Sequence, residues 1–236
     1  MLKSACLASL LAAAAPALAN TEKAIFLGPR AAAHATPLLG GSEDLAVPIL
    51  TPEHGAIRTH LEVRFPSDAA PFGKVTWIGL EDLAEGQRYE VRVCWAATQP
   101  TEFRLDTYET DAVYGDLELR DEFHSSAREY VGSRAEERPG STQPSGRKPG
   151  QETSVLYLRI LAAADYYTTN KTLMNDVPPV LVDIILDPFV FNVLPRSLVP
   201  TVGYIIVVAA LSWFLARRIS TWVRAVATVD EDKKGQ

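Results

Sequence analysis

The sequence predicts an all-β protein, a single Ig-like or fibronectin-III-like sandwich with an inserted charged loop, followed by one C-terminal transmembrane helix. Three observations support that expectation. The first is period-two alternation. Ile57, Thr59, Leu61, Val63 and Phe65 fall on one face, with Arg58, His60, Glu62 and Arg64 on the other. The device recurs in residues 88–95, with Tyr89, Val91, Val93 and Trp95 set against Arg88, Glu90, Arg92 and Cys94. Such spacing, rich in β-branched and aromatic residues, is that of half-buried strands. The second is SLVPTVGYIIVVAALSWFLA at 197–216, twenty residues without a charge, stopped by Arg217 and Arg218. A helix of that length covers about 30 Å, the thickness of a bilayer's hydrocarbon core. The third is Leu80-x-x-Leu83-x-x-Gly86-x-x-Tyr89-x-Val91-x-Val93. It resembles the late strands of fibronectin type III domains, where a tyrosine hydroxyl ties a corner back to upstream backbone.

Taken in order, residues 1–19 read as a secretory signal peptide. Lys3 supplies the positive start, Ala5 to Ala15 a short apolar stretch and Ala17-Leu18-Ala19 the small-x-small cleavage site. The mature domain, residues 20–196, is long enough for one real core. Beyond the two alternating runs, strands are expected at 23–27, 74–80, 102–108, 155–161 and 180–186, about seven in all. Residues 110–153 break the rhythm and read as an insertion within the sandwich. Its first half suits a surface helix, because Leu117, Leu119, Phe123 and Ala127 recur at roughly helical spacing; its second half has the Pro, Gly, Ser and charge content of a disordered loop. DPFVFNVLPRSLVP at 187–200 reads as a turn at Asp187-Pro188 and then a stiff apolar approach to the bilayer.

Arg217, Arg218 and Arg224 follow the span and only Arg196 stands just before it, which orients the N-terminal domain to the lumen and the tail, 217–236, to the cytosol. Lys233 and Lys234 form a dilysine pattern, an address read by coat machinery that returns single-pass proteins to the endoplasmic reticulum. Asn170-Lys171-Thr172 is a glycosylation sequon on the lumenal side of that topology.

The net charge of −6 and the lack of a basic stripe argue against nucleic acid. Cys6 leaves with the signal peptide, so Cys94 stands alone, and its strand-like setting favours burial. No HExxH, CxxC, GxSxG or P-loop is present, and histidines 34, 54, 60 and 124 lack metal-ligand spacing. Asp183 and Asp187 lie four apart, on one face if a strand continues through both, but the better reading is an exposed strand residue and a turn. No catalytic residue, metal or cofactor is therefore assigned. In the span, Ala209, Ser212 and Ala216 make a small-residue stripe that another helix could approach closely. Nothing in the span suggests a transport path.

NTEKAIFLGP at 20–29, IRTHLEVRFP at 57–66, GQRYEVRVCWAATQPTEFRLDTY at 86–108 and DIILDPFVFNVLPRSLVPT at 183–201 together resemble the fungal co-activator subunit of GPI mannosyltransferase II. The resemblance implies a non-catalytic, single-pass protein of the endoplasmic reticulum membrane. It would stabilise or activate the multi-spanning catalytic subunit that adds the second mannose to the glycosylphosphatidylinositol precursor. Phe189 and Phe191, together with the small-residue stripe, are the expected partner contacts. The same architecture would also serve an accessory subunit of another membrane complex (translocon, oligosaccharyltransferase or membrane insertion). An ER–Golgi cargo receptor, or a tethered hydrolase using Asp183 and Asp187, are further alternatives.

Overall fold

The computed structural model describes residues 19–30, 47–137 and 154–234. The expected signal peptide, apart from Ala19, lies outside the described residues, as do His34 and the loop-like stretch 138–153. The described residues contain nine strands: β1 (Ala19–Leu27), β2 (Ile49–Leu50), β3 (Ala56–Leu61), β4 (Lys74–Leu80), β5 (Arg88–Ala96), β6 (Thr101–Glu109), β7 (Leu156–Ala164), β8 (Val180–Val190) and β9 (Leu194–Pro195). The helices are α1 (Thr110–Gly115), α2 (Leu117–Glu137), α3 (Lys171–Asn175) and α4 (Val199–Lys234), with a 3₁₀ turn at Arg196–Leu198. One sheet runs β1-β5-β8-β3, with β9 added to β8; the other runs β2-β4-β7-β6. All pairings are antiparallel except β2 with β4.

The inward side chains of both sheets meet in one apolar core. Tyr89, Val91, Val93 and Trp95 of β5 and Val180, Val182, Ile184 and Leu186 of β8 face Ile78, Leu80, Leu158 and Ile160 across it. The predicted polar face of residues 57–65 is exposed throughout, while Leu61 and Val63 are buried. All seven predicted strands are present. The additions are β2 and β9, each two residues long and too short to show a period.

The Asp187-Pro188 pair is not a turn: β8 continues through it to Val190. Proline lacks an N–H and is normally excluded from an inner strand. Here Leu186 N donates to Gly55 O at 2.7 Å, so the nitrogen two residues on faces the same side, beyond the point where β3 has begun at Ala56. Pro188 thus sits where no ladder bond is required of it.

The expected tyrosine corner forms. Ala84 N donates to Tyr89 Oη at 2.9 Å, with Tyr89 buried and stacked on Phe26. The corner turns at Gly86, whose φ of +69° is a left-handed conformation that glycine adopts without penalty.

Residues 110–137 are more than a charged surface helix. Strands β6 and β7 are neighbours in the sheet, and the excursion between them lays α1 and α2 over that sheet's outer face. Asp116 Oδ1 accepts from the N–H groups of Glu118 and Leu119 and so caps α2. Val113, Phe123 and Ala127 are wholly buried against Trp77 and Tyr157, whereas Leu117, expected on that stripe, is exposed. Phe123 sits edge-on to Trp77 and Tyr157 at 5.7 and 4.9 Å. A bidentate pair from Arg159 to Glu122, both bonds 2.8 Å, fastens the helix to β7. Burial alone would pull the Arg159 guanidinium down; the Glu122 carboxylate outweighs it and holds the group above its ordinary value.

Helix α4 begins after the 3₁₀ turn, and Arg196–Arg224 is long and apolar enough to cross a membrane. Those 29 residues correspond to about 43 Å of helix, more than the hydrocarbon core needs. Residues 199–224 are all exposed, so no other part of the described chain covers this surface.

Two expectations follow from the packing. Phe123→Ala removes a ring with no solvent exposure and should cost about 3–5 kcal/mol in urea unfolding of the detergent-solubilised protein, with α2 lost first in hydrogen exchange. On the opposite sheet Arg58 grips Asp183 with bonds of 2.6 and 2.7 Å. The hydrogen bond from Arg58, aided by its charge, holds the Asp183 carboxyl below its ordinary range. The stability this adds is complete above the ordinary carboxylate pKa and fades as pH falls through the depressed one. The Tm difference between the wild type and Asp183→Asn should therefore be small, constant at neutral pH, and vanish progressively below about pH 4.

Candidate functional site

Strand β8 leads out of the sandwich into α4, and the junction is built from three local devices. The chain reverses at Phe191-Asn192-Val193 and returns beside β8 as β9, with Phe189 opposite Pro195 and Val190 opposite Leu194. Phe191 and Asn192 take positive φ values of 52° and 57°, the left-handed region uncommon for side-chain-bearing residues. Asn192 fixes the reversal: its Oδ1 accepts from Arg88 N at 2.8 Å and its Nδ2 donates to Gly86 O at 2.9 Å. The Gln87 side-chain amide donates to the Phe189 carbonyl, and the Arg88 guanidinium lies over the Phe189 ring, 5.9 Å from its centre.

The third device is electrostatic. Asp187 and Glu90 are register partners on β8 and β5, both on the outer face of their sheet and both buried. Arg92 reaches Glu90 at 3.2 Å and Asp187 at 3.9 Å, and Lys23 of β1 reaches Glu90 at 3.1 Å. The Asp187 carboxylate also accepts from Ser197 N at 3.3 and 3.2 Å. The returning segment is thereby bonded to the sheet at the residue that precedes the last position of the 3₁₀ turn, directly before α4.

The candidate residues fall into place unequally. Phe189 is buried under the returning chain, so it shapes the junction; Phe191 is 93% exposed. Ala209, Ser212 and Ala216 lie along exposed α4. Asn170 is exposed at the N-cap of α3, its Oδ1 accepting from Thr172 N at 3.0 Å. Lys233 and Lys234 form the last residues of α4, and their side chains lie outside the described residues. Asp183 and Asp187 each have their own partners and stand about 13 Å apart along β8, too far for shared acid–base work on one bond. Cys94 is half-buried rather than buried, with the Thr21 hydroxyl donating to its sulfur at 3.5 Å. His54 and His60 are exposed, and His124 lies beside Tyr114 and Phe123. Among the described residues no group of three or more His, Cys, Asp or Glu side chains is arranged to hold a metal.

The Glu90–Arg92–Asp187 cluster was missed from sequence. Glu90 and Arg92 were readable as polar-face residues, but their meeting with Asp187 depends on the pairing of two strands distant in the chain.

No curated protein and no solved structure matches the chain. A family model described as the GPI-mannosyltransferase II co-activator, Pga1, matches residues 58–138, from β3 to just past α2. The match takes in strands of both sheets and also α1 and α2, the helices that the sequence resemblance left out. It supports the identity that the resemblance implied, and with it an accessory role beside a mannosyltransferase. Over that stretch, about a third of the chain, the protein is similar to the Pga1 family of GPI-mannosyltransferase II co-activators.

Proposed function

We propose that this co-activator is a single-pass protein of the endoplasmic reticulum membrane whose sandwich stands on the lumenal side. There it steadies the multi-spanning catalytic subunit that adds the second mannose to the glycosylphosphatidylinositol precursor. The observation that bears most weight is the family match over β3–α2, read together with a single apolar helix that nothing else in the described chain covers. A transferase fed by a lipid-linked sugar needs a cavity for lipid and sugar at the bilayer, and one span encloses none. What this chain supplies is a rigid domain held against a helix. The kinship to Ig-like and fibronectin-like modules rests on the Tyr89 corner.

The transferase is held in the membrane by the face carrying Ala209, Ser212 and Ala216, where small side chains let two helix backbones approach. Above the bilayer it meets the rim of the sandwich around the junction that Phe189 supports. Asn170, exposed in an Asx turn, takes the glycan, and Lys233-Lys234 serves as the retrieval address for coat machinery.

Two measurements test this. Depletion of the protein should cause a GPI precursor bearing a single mannose to accumulate, as seen by profiling radiolabelled mannolipids; an unchanged profile removes the reading. With the tagged full-length chain, Ala209→Leu combined with Ser212→Leu should cut recovery of the transferase about tenfold, the equivalent of about 1.4 kcal/mol, without changing the unfolding of the sandwich. Undiminished recovery would move the contact off that face.

A further inference from the structure

The reversal between β8 and β9 presents two apolar side chains to solvent, Phe191 at 93% and Val193 at 78% exposure. A floppy loop would fold such a ring back onto the sheet. This one is prevented from doing so by the left-handed backbone at Phe191 and Asn192 and by the two bonds that fasten Asn192 to Gly86 and Arg88. Val193 N also closes the turn onto Val190 O at 3.2 Å. The ring is therefore held outward by the turn, eight residues before the start of α4, the one helix among the described residues that is long and apolar enough to cross a membrane.

The position of the turn relative to that helix is fixed within this chain. Ser197 is bonded to Asp187, so the backbone has come back level with Asp187 before α4 begins. The turn lies at least four residues farther along β8 than Asp187, about 13 Å beyond it at strand rise. From Pro188 to Tyr204 the sequence contains no acidic residue and one base, Arg196, which is exposed; Arg88, also exposed, lies on the neighbouring strand.

We propose that Phe191 and Val193 form a membrane-interface anchor, seated among the headgroups and upper acyl chains of the bilayer that α4 crosses, with Arg88 and Arg196 toward lipid phosphates. The proposal rests on the reading of α4 as a span. Lipid is the occupant that fits because the bilayer is present beside the start of α4 in every state, bound or unbound. Two convex apolar side chains with a basic, acid-free flank match an interface that offers hydrocarbon below and phosphate above. The anchor gives the sandwich a second point of attachment besides the helix, and so fixes its height and tilt over the membrane.

The test uses the full-length chain with Cys94→Ser, reconstituted in phosphatidylcholine–phosphatidylserine vesicles. Phe191→Cys, Val193→Cys, Tyr167→Cys and Val207→Cys are each labelled with an environment-sensitive fluorophore. Lipids spin-labelled near the headgroup should quench positions 191 and 193 several-fold more than exposed Tyr167, in the loop between β7 and α3, while aqueous iodide does the reverse. Deeply spin-labelled lipids should quench position 207. Absence of that deep quenching would overturn the span and the anchor together. Quenching at 207 with 191 and 193 behaving like 167 would overturn the anchor alone. Shielding of 191 from both quenchers that arises only when the transferase is co-reconstituted would replace lipid by protein as the neighbour. Near-UV circular dichroism checks that each variant folds, and Val193→Cys stands in if Phe191→Cys does not.

Discussion

The carboxylate of Asp187 joins a sandwich of ordinary soluble construction to a helix built for lipid. It is 5% exposed on the outer face of a sheet, where an uncompensated charge would be costly, and two groups compensate it: Ser197 N at 3.2 Å and the Arg92 guanidinium at 3.9 Å. Arg92 is shared with Glu90, which in turn binds Lys23, so a chain of charges runs from β1 across β5 and β8 to the threshold of α4. Buried networks of this kind add little net stability compared with well-packed apolar residues, yet removing one member leaves an unpaired charge that costs about 3–5 kcal/mol. An apolar residue in place of Asp187 could not accept from Ser197 N. The charge therefore specifies where the returning backbone must lie.

That specification has consequences on both sides. Toward the sheet, Asp187 requires β8 to continue past the last residue paired with β3, which is possible because Pro188 lies where no ladder bond is demanded. Toward the helix, a segment bonded at Ser197 leaves only Leu198 between the anchored backbone and α4, too little chain for free swivelling. The Asn192 clamp acts at the other end of the same reversal, tying it to Gly86 and Arg88 beside the tyrosine corner. Corner, reversal and helix start are thus connected through hydrogen bonds, and the core formed by Tyr89, Val91 and Leu186 lies directly beneath them.

Most of the sandwich was legible because burial on one face of a strand writes a period of two into the sequence. Strands β3 and β5 announce themselves that way, and Tyr89 announces its corner, whereas β4 and β7 are buried almost continuously and show no such period. Legibility ended where local pattern and distant pairing part company. The Asp187-Pro188 dipeptide reads as a turn because proline usually ends a strand, and only knowledge of where β3 starts removes the objection. Val113 was invisible because α1 has six residues, fewer than two turns, while Leu117 fits the helical stripe and still faces solvent. Phe189 and Phe191, two apart, look equivalent on an extended chain. The left-handed backbone at Phe191 separates them, one covered by the returning strand and the other projecting. The charge cluster is a property of register, and register between β5 and β8 is not written in either strand alone.

A chain acting as a co-activator influences chemistry through what it holds in place. The family model matches from β3 to α2, so the likeness takes in strands of both sheets and the helices laid over one of them, with Glu122 inside the matched stretch and its partner Arg159 on β7 outside it. With that layer, α2 shields one sheet's outer face, and the charge network occupies part of the other. Exposed apolar side chains are scattered singly on the sandwich, as at Ile25, Leu27 and Leu181, and are concentrated along α4, with Phe191 and Val193 at the reversal. A partner lying in the same bilayer meets that region first. The rigid junction then makes the orientation of the sandwich a function of the orientation of α4, so that a grip on the helix within the membrane also sets the position of the domain outside it.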